Sequence, residues 1–298
     1  MSTGVDIAAR RTPAAAVTLR GIGLFTGAPA SLTIAPDAEG RAGIWFLRRG
    51  APAVAAVAAN VVQPPELPGR CTCIGRERNI FLTVEHVLSA LVGLGLTNAV
   101  ITLDGPEVPM LDGSAQPVAA ALAAAGVASV AGNASVVRVL ETIRVEDGRG
   151  GWAEARPRVK PGTSYRYELD YTAMPGGAGL GRQAAAWEGD VAGYMRDIAP
   201  ARTFCLAAEA RAMSGAGLFK HLSPSDMLVI DETGVPVDNT WRLPDEAARH
   251  KLLDLIGDVA LCGARVHADI VAHRSGHALN QELASRLAAI AATPNSGR

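Results

Sequence analysis

The sequence lacks an excess of either charge and has few aromatic residues and few cysteines. Lys and Arg number 28 against 29 Asp and Glu among 298 residues, and aromatic residues make up 4%. Because no basic excess is available to neutralise phosphates, we expect no nucleic-acid partner. The cysteines are too few and too scattered for a disulfide framework, and we expect reduced, structural thiols at Cys71, Cys73, Cys205 and Cys262.

The chain also lacks a long hydrophobic run. Its most apolar uncharged stretch, residues 117–132, is mostly Ala and falls short of the roughly 20 strongly apolar residues that cross a bilayer. The first dozen residues contain Asp6, Arg10 and Arg11 but no apolar core followed by a cleavage site. We therefore expect a cytoplasmic protein with neither a secretory signal nor a transmembrane segment.

Several common enzyme signatures are missing. The sequence has no His-Glu-x-x-His, no Gly-x-Ser-x-Gly and no Gly-x-x-x-x-Gly-Lys-Ser/Thr motif. Two glycine pairs, at 21–23 and 93–95, are interpreted as turn glycines, since the second follows a predicted helix instead of a strand. The enzyme classes that depend on these motifs are therefore not expected.

What the first half does contain is a series of short strand-like runs followed by amphipathic helices. Residues 83–94 have apolar side chains at helical spacing, with Thr83 as the expected N-cap. The turn residues that interrupt the other runs predict strands at 16–20, 30–34, 43–47 and 98–103, and a second helix at 117–125.

The second half repeats this order of elements. Strands are predicted at 135–145, 165–171, 227–230 and 266–273, and helices at 245–262 and 280–292. Because strands and helices do not alternate strictly, the pattern is typical of α+β layers. Small, uncharged residues punctuated by glycine at 127–135 indicate a domain boundary, which divides the chain into domains 1–130 and 131–298.

The most informative cluster lies in the predicted helix at 245–262. His250, Asp254 and Asp258 recur every four residues and therefore share one face of the helix. A His and an Asp at this spacing can reach one cation, but two ligands do not make a site. A solvated helix face with salt-bridged charges is the alternative that the spacing leaves open.

Two further segments carry candidate residues. Glu85 and His86 are neighbours near the start of the first helix, where they can serve as a base and a third metal ligand. The helix dipole at that end favours an ionised Glu85. His277 is predicted in a glycine-bounded turn between a strand and a helix, from which a side chain can face a cleft. Neither segment identifies a function by itself.

Six blocks of the sequence form a specific combination when they are taken together. They are residues 20–27 (RGIGLFTG), 83–98 (TVEHVLSALVGLGLTN), 105–117 (GPEVPMLDGSAQP), 201–204 (ARTF), 249–258 (RHKLLDLIGD) and 275–280 (SGHALN). With these blocks the chain resembles the zinc-dependent UDP-3-O-acyl-N-acetylglucosamine deacetylases of lipid A biosynthesis over nearly its whole length.

The resemblance implies a cofactor, Zn²⁺, and a set of site residues. The family's zinc ligands fall on His86, His250 and Asp254. Three protein ligands leave one coordination position open, as is usual for catalytic zinc. The family's general base falls on Glu85 and its second catalytic histidine on His277.

Other family positions in the active site fall on Thr203, Lys251 and Asp258, and Phe204 and Lys251 match substrate contacts. The implied reaction removes acetate from a UDP-linked, 3-O-acylated N-acetylglucosamine. The implied fold is a two-domain sandwich in which each β-sheet has helices packed on one face, the helices lie between the two sheets, and zinc lies at the domain junction. We expect a monomer.

The chain departs from the family pattern at three places, one of which is His273-Arg274 in place of a usual Tyr-Lys pair. Phe25 stands where most members have His, and residues 217–226 contain Lys220, His221 and Pro224, which are foreign to the usual Gly-Gly-Ser-x-Asp pattern. Because an unpaired ammonium is costly to bury, Lys220 is expected to point outward or to meet a polar part of the substrate. Either position predicts a weaker dependence on acyl-chain length than the family usually shows. A non-catalytic metal-binding paralogue and a deacetylase of another acetylated sugar nucleotide are the alternatives.

Overall fold

The computed structural model describes residues 9–64, 69–215, 217, 219–223 and 227–292. The first half contains helices α1 (Glu85–Gly93) and α2 (Gln116–Ala125) and a 3₁₀ turn at Ala58–Asn60. Its strands are β1 (Ala9–Pro13), β2 (Val17–Ile22), β3 (Pro29–Ala35), β4 (Ile44–Leu47), β5 (Val54–Ala55), β6 (Val61–Val62), β7 (Cys73–Arg76), β8 (Asn79–Phe81), β9 (Ala99–Asp104) and β10 (Val127–Asn133).

The second half has more helix. Its helices are α3 (Val191–Gly193), which continues as a π-helical turn at Tyr194–Ile198, α4 (Ala207–Gly215), α5 (Glu246–Val259), which continues as a 3₁₀ turn at Ala260–Cys262, and α6 (His277–Ala292). Its strands are β11 (Val136–Arg138), β12 (Ile143–Glu146), β13 (Trp152–Arg156), β14 (Ser164–Asp170), β15 (Arg182–Trp187), β16 (Phe204–Leu206), β17 (Leu228–Ile230), β18 (Arg265–His267) and β19 (Asp269–His273).

Two five-stranded sheets share one topology. The strand order is β2-β3-β9-β4-β5 in the first sheet and β12-β13-β19-β14-β15 in the second. In each sheet the last strand along the chain lies at the centre, antiparallel to the second strand and parallel to the third. Each half of the chain therefore builds the same arrangement of strands, which confirms the predicted α+β fold.

Each sheet has one buried face. On β3, Leu32 and Ile34 are fully buried, whereas Thr33 between them lies on the outer face, where its hydroxyl is 2.9 Å from that of Thr18. The same alternation of buried and accessible residues occurs along β14. A period of two along the strands thus gives each sheet one apolar surface to cover.

Helices α1, α5 and α6 occupy the space between the two apolar surfaces. Helix α5 contacts β14 and β15 of the second sheet as well as α1, and α6 packs on β12 and β13. Buried side chains of both sheets and of these helices belong to one hydrophobic cluster. The sandwich with helices between two sheets, expected from the resemblance, is confirmed.

Two predictions about helix starts are wrong. Thr83 does not cap α1, because Val84 is the N-cap residue, and Thr83 has a φ of 60° while its hydroxyl donates to Glu107 Oε1 at 2.8 Å. His277 does not lie in a turn before a helix, because it is the first residue of α6. The hydroxyl of Thr83 thus forms a tertiary hydrogen bond with Glu107 instead of the helix cap that the local sequence pattern predicted.

The segment predicted as a domain boundary contains a strand. β10 pairs with β1 in antiparallel register. Most of its side chains are exposed, which explains why the sequence there has no buried apolar pattern. The division into domains 1–130 and 131–298 stays a prediction.

The four cysteines are free and buried, as expected for structural thiols. Two of them, Cys71 and Cys73, have sulfur atoms 3.6 Å apart. None of the helices in the described part of the chain has the length and hydropathy that a membrane span requires.

Candidate active site

Two helices bring three candidate metal ligands together. His86 comes from the first turn of α1, and His250 and Asp254 come from successive turns of α5. One ligand atom of each residue lies within 4.8 Å of the other two. Asp254 Oδ1 is 3.6 Å from His86 Nε2 and 3.4 Å from His250 Nε2. The three residues predicted as ligands are therefore neighbours in the fold.

Gly257 allows α1 and α5 to approach closely enough for this. A Cβ atom at position 257 would lie 2.0 Å from the carbonyl oxygen of Glu85, a distance that real Cβ atoms do not adopt. The face of α5 turned toward α1 is buried, since His250, Asp254 and Asp258 are 2%, 3% and 0% exposed. The alternative of a solvated helix face is therefore wrong.

His250 is oriented by the segment before β16. Its Nδ1 lies 3.0 Å from the carbonyl oxygen of Ala201. Because a carbonyl oxygen only accepts hydrogen bonds, Nδ1 carries the proton and the lone pair is on Nε2. The backbone N–H and Nε of Arg202 donate to Glu246 Oε1 at 3.1 and 2.8 Å, so a buried ion pair holds the Ala201 carbonyl in place. A hydrogen bond from the other ring nitrogen to a carbonyl oxygen fixes the tautomer of a metal-binding imidazole.

Asp254 offers an oxygen without a donor. Its Oδ2 accepts a hydrogen bond from Lys251 Nζ at 2.9 Å. Its Oδ1 is buried and has no hydrogen-bond partner among the described residues. A buried carboxylate oxygen rarely lacks a partner, and this one lies closest to the two imidazole Nε2 atoms. This donor set fits a divalent cation such as Zn²⁺.

The protonation of the three residues also suits a cation. Burial would raise the pKa of Asp254, but Lys251 and His250 hold it well below its usual value. Burial lowers the pKa of His250 to about 4, so this imidazole is neutral. Burial also acts to lower the pKa of His86, but Asp254 and Glu85 outweigh it and raise that pKa. Of the two imidazoles, His86 therefore holds its proton more strongly than His250 does.

Glu85 lies beside the three candidate ligands and is not one of them. Its Oε2 accepts a hydrogen bond from the backbone N–H of Thr72 at 3.0 Å, and its Oε1 is 3.9 Å from His277 Nε2. Burial raises the pKa of Glu85 to about 8, although His277 opposes this effect. A cation held next to it by His86 would lower the pKa again, because it favours the charged form.

His277 is tied to α5 through Asp258. Asp258 Oδ2 accepts from His277 Nδ1 and from Asn280 Nδ2, both at 2.9 Å, and Oδ1 accepts from the hydroxyl of Thr72. Burial acts to lower the pKa of His277, but Asp258 raises it to about 10. His277 is therefore an imidazolium at neutral pH, with Nε2 directed toward Glu85.

A cavity of about 340 Å³ gives access to this cluster. Lys251 Nζ lies 5.9 Å from the ring centre of Phe204 at its wall. Asp258 does not line the cavity and contacts His277 from behind. The predicted site residues that do line it are Glu85, His86, Thr203, Phe204, His250, Lys251, Asp254 and His277.

Two of the three departures from the family pattern have different surroundings. Phe25 lines the cavity, and its ring packs on Phe219 with the ring centres 5.5 Å apart. Lys220 is exposed and does not line the cavity, in agreement with an outward position. His221 is also exposed, and its Nε2 is 3.2 Å from the Gly23 carbonyl oxygen. Pro224 lies outside the described residues.

Two buried residues that support the site, Glu107 and Thr72, are not among the predicted site residues. Glu107 accepts hydrogen bonds from the backbone N–H groups of Phe25 and Thr26 and from the Thr83 hydroxyl, which joins the turn at 23–27 to the start of α1. Neither Glu107 nor Thr72 has a local spacing signal. Their partners are distant along the chain, so only the fold identifies them.

Fold and site together define a class of α+β proteins that have two sheets of the same topology. In this class two imidazoles and a carboxylate can hold one metal ion next to a cavity, and a second carboxyl group lies beside them. Within that class the chain belongs to the LpxC family, UDP-3-O-acyl N-acetylglycosamine deacetylase, whose family model matches residues 10–289.

Curated relatives carry the corresponding name. The chain is 35% identical over 279 residues to the UDP-3-O-acyl-N-acetylglucosamine deacetylase of Brucella melitensis biotype 2, with 93% of this chain and 94% of the relative covered. The same identity and coverage apply to the proteins of that name from Brucella ovis and Brucella abortus strain S19.

Proposed function

We propose that this protein hydrolyses the acetamide of UDP-3-O-acyl-N-acetylglucosamine and releases acetate, a step of lipid A biosynthesis. Family membership and the names of the relatives support the substrate. The observation that carries the chemistry is the buried group of His86, His250 and Asp254 beside the carboxylate of Glu85. A cavity of about 340 Å³ leads to this group.

Zn²⁺ is the proposed cofactor, held by His86, His250 and Asp254. Two imidazoles and one carboxylate are a donor set that catalytic zinc sites use. When bound, zinc supplies Lewis acidity, which polarises a carbonyl oxygen and lowers the pKa of water. The unpartnered Oδ1 of Asp254 and the protonated Nδ1 of His250 support this assignment.

Glu85 is the proposed general base. It takes a proton from the water that attacks the acetamide carbonyl carbon, so that a carbon–oxygen bond forms as that proton leaves. It then gives a proton to the amine nitrogen as the carbon–nitrogen bond breaks, which returns the carboxylate. The N–H of Thr72 at 3.0 Å holds one carboxylate oxygen and leaves the other to exchange protons.

His277 is the proposed donor to the negative oxygen of the tetrahedral intermediate. Its imidazolium is stabilised by Asp258 at 2.9 Å, and its Nε2 lies 3.9 Å from Glu85 Oε1. A preorganised cation in a buried site stabilises developing charge more strongly than it would in water. The hydroxyl of Thr203, at the cavity wall, is a second donor in this scheme.

Lys251 and Phe204 are proposed to contact the substrate. Burial would lower the pKa of Lys251, but Asp254 and two tyrosines, Tyr171 and Tyr167, raise it above its usual value. A charged ammonium at the cavity wall suits an anionic oxygen of the sugar nucleotide. Phe204 offers the adjacent apolar surface.

Acetate release from UDP-3-O-acyl-N-acetylglucosamine by the zinc-loaded protein tests the proposal. Unacylated UDP-N-acetylglucosamine is the matched control, and the acylated substrate is expected to be turned over faster. Faster turnover of the unacylated compound would favour a deacetylase of another sugar nucleotide. Full zinc loading with no acetate from either compound would favour a non-catalytic paralogue.

A further inference from the structure

We propose that Thr72 is a positioning residue that sets the positions of Glu85, the proposed general base, and of His277 relative to each other. The inference rests on the proposed function, since it assigns Thr72 a role toward Glu85 and His277. Thr72 is fully buried in the segment before β7 and does not line the cavity, so it acts through its neighbours and not on the substrate.

The backbone N–H and the carbonyl group of Thr72 both form hydrogen bonds with the start of α1. Its N–H donates to Glu85 Oε2 at 3.0 Å, and its carbonyl oxygen accepts from the N–H of Val84 at 3.1 Å. Val84 is the N-cap residue of α1, directly before Glu85. Two hydrogen bonds therefore define where the Glu85 carboxylate stands.

The side chain of Thr72 reaches the other catalytic group. Its hydroxyl oxygen accepts from Gln281 Nε2 at 2.9 Å, which directs the hydroxyl proton to Asp258 Oδ1. The same oxygen lies 3.3 Å from His277 Nδ1. Asp258 Oδ2 is already shared by His277 and Asn280, so Thr72 is the donor that holds the second oxygen of this fully buried carboxylate.

One residue thus connects three helices at the reacting groups. Glu85 belongs to α1, Asp258 to α5 and His277 to α6, and Thr72 contacts all three side chains. Replacing its hydroxyl with a methyl group keeps the volume but leaves Asp258 Oδ1 without this donor. We infer that Asp258 and His277 then turn away from the geometry that stabilises the transition state.

The test compares Thr72→Val with Thr72→Ser in the zinc-loaded protein. Thr72→Val is expected to lower kcat by roughly tenfold or more, the effect typical of groups that orient active-site residues, with KM and zinc content unchanged. Thr72→Ser keeps the hydroxyl that donates to Asp258. Its kcat should therefore lie within about threefold of the value for the natural protein. Thr12→Val, a buried threonine on β1 that does not line the cavity, is the control and should leave kcat unchanged.

A second readout does not depend on turnover. The Nδ1 proton of His277, bonded to a buried carboxylate, should give a low-field proton resonance, which His277→Gln assigns by its loss. Thr72→Val should shift this resonance and Thr72→Ser should restore it. An unshifted resonance in Thr72→Val would overturn the role of Thr72, whether or not the natural protein releases acetate. A natural protein that releases no acetate would instead contradict the proposed function.

The remaining outcomes also decide the matter. A folded Thr72→Val variant with unchanged kcat, or equal losses in the Val and Ser variants, would overturn the inference. Should Thr72→Val not fold, Gln281→Leu removes the donor that directs the hydroxyl, and it should lower kcat and shift the same resonance. An unchanged kcat in that variant would contradict the role of the hydroxyl.

Discussion

Gly257 is the position where a single methyl group should separate the two halves of the candidate metal site. In Gly257→Ala the new Cβ would meet the carbonyl oxygen of Glu85 at 2.0 Å and its carbonyl carbon at 2.8 Å. Both partners are backbone atoms of α1, so no side-chain rotation relieves the contact. Helix α1, or α5, has to move.

The size of that movement follows from ordinary contact distances. Cβ contacts begin at about 3.4 Å, so the shortfall at Gly257 is about 1.4 Å. Metal sites tolerate deviations of about 0.2 Å in ligand distance. Because His86 lies on α1 and the other two ligands lie on α5, even a partial shift should weaken metal binding by on the order of 10-fold to 100-fold. Overpacking should also lower the free energy of unfolding by about 1–3 kcal/mol.

Two measurements check this prediction. Competition with a chromogenic chelator gives the zinc Kd, and urea unfolding of the metal-free protein gives the free energy of unfolding. The control is Gly215→Ala, at the end of α4, where no described atom lies within 4 Å of the added Cβ. A Gly257→Ala variant that bound zinc and unfolded like the natural protein would refute the reasoning about how α1 and α5 build the site.

Three other substitutions test the proposed chemistry. Glu85→Gln should keep zinc, because Glu85 is not a ligand, and lose on the order of 10²-fold in kcat; wild-type turnover would make Glu85 structural. Asp258→Asn removes the charge that raises the pKa of His277. Because His277 works protonated, kcat falls as pH rises through that pKa, and in the variant this falling limb should move to lower pH; an unmoved limb in the pH profile would contradict the assignment. Lys220→Leu should leave the dependence of kcat/KM on 3-O-acyl length unchanged, since Lys220 is exposed. A steep preference of the natural protein for long acyl chains would refute the weaker dependence expected from residues 217–226.

The helical spacing of the candidate residues could be predicted from sequence because it is a local property. Residues four apart in a helix lie on one face, and His250, Asp254 and Asp258 have this spacing within α5. Their burial could not be predicted in the same way. It depends on the contact with α1 at Gly257, a residue without a signal of its own.

The wrong N-cap prediction at Thr83 and the unpredicted strand β10 have a common physical reason. The hydroxyl of Thr83 has a tertiary partner, Glu107, which local propensity does not include. β10 pairs with β1 while most of its side chains are exposed, so its small residues form a strand without a buried apolar pattern. The role of Thr72 likewise depends on partners in three helices that only the fold brings together.

The central claim is that one metal ion, held by His86, His250 and Asp254, is required for hydrolysis. Titration of metal-free protein with Zn²⁺, with acetate release followed at each addition, tests it most directly. The account predicts that activity rises in proportion to added zinc and reaches its plateau at one ion per chain, and that His250→Ala neither binds that ion tightly nor gains activity. Full turnover without metal, or an undiminished zinc content and activity in His250→Ala, would contradict it.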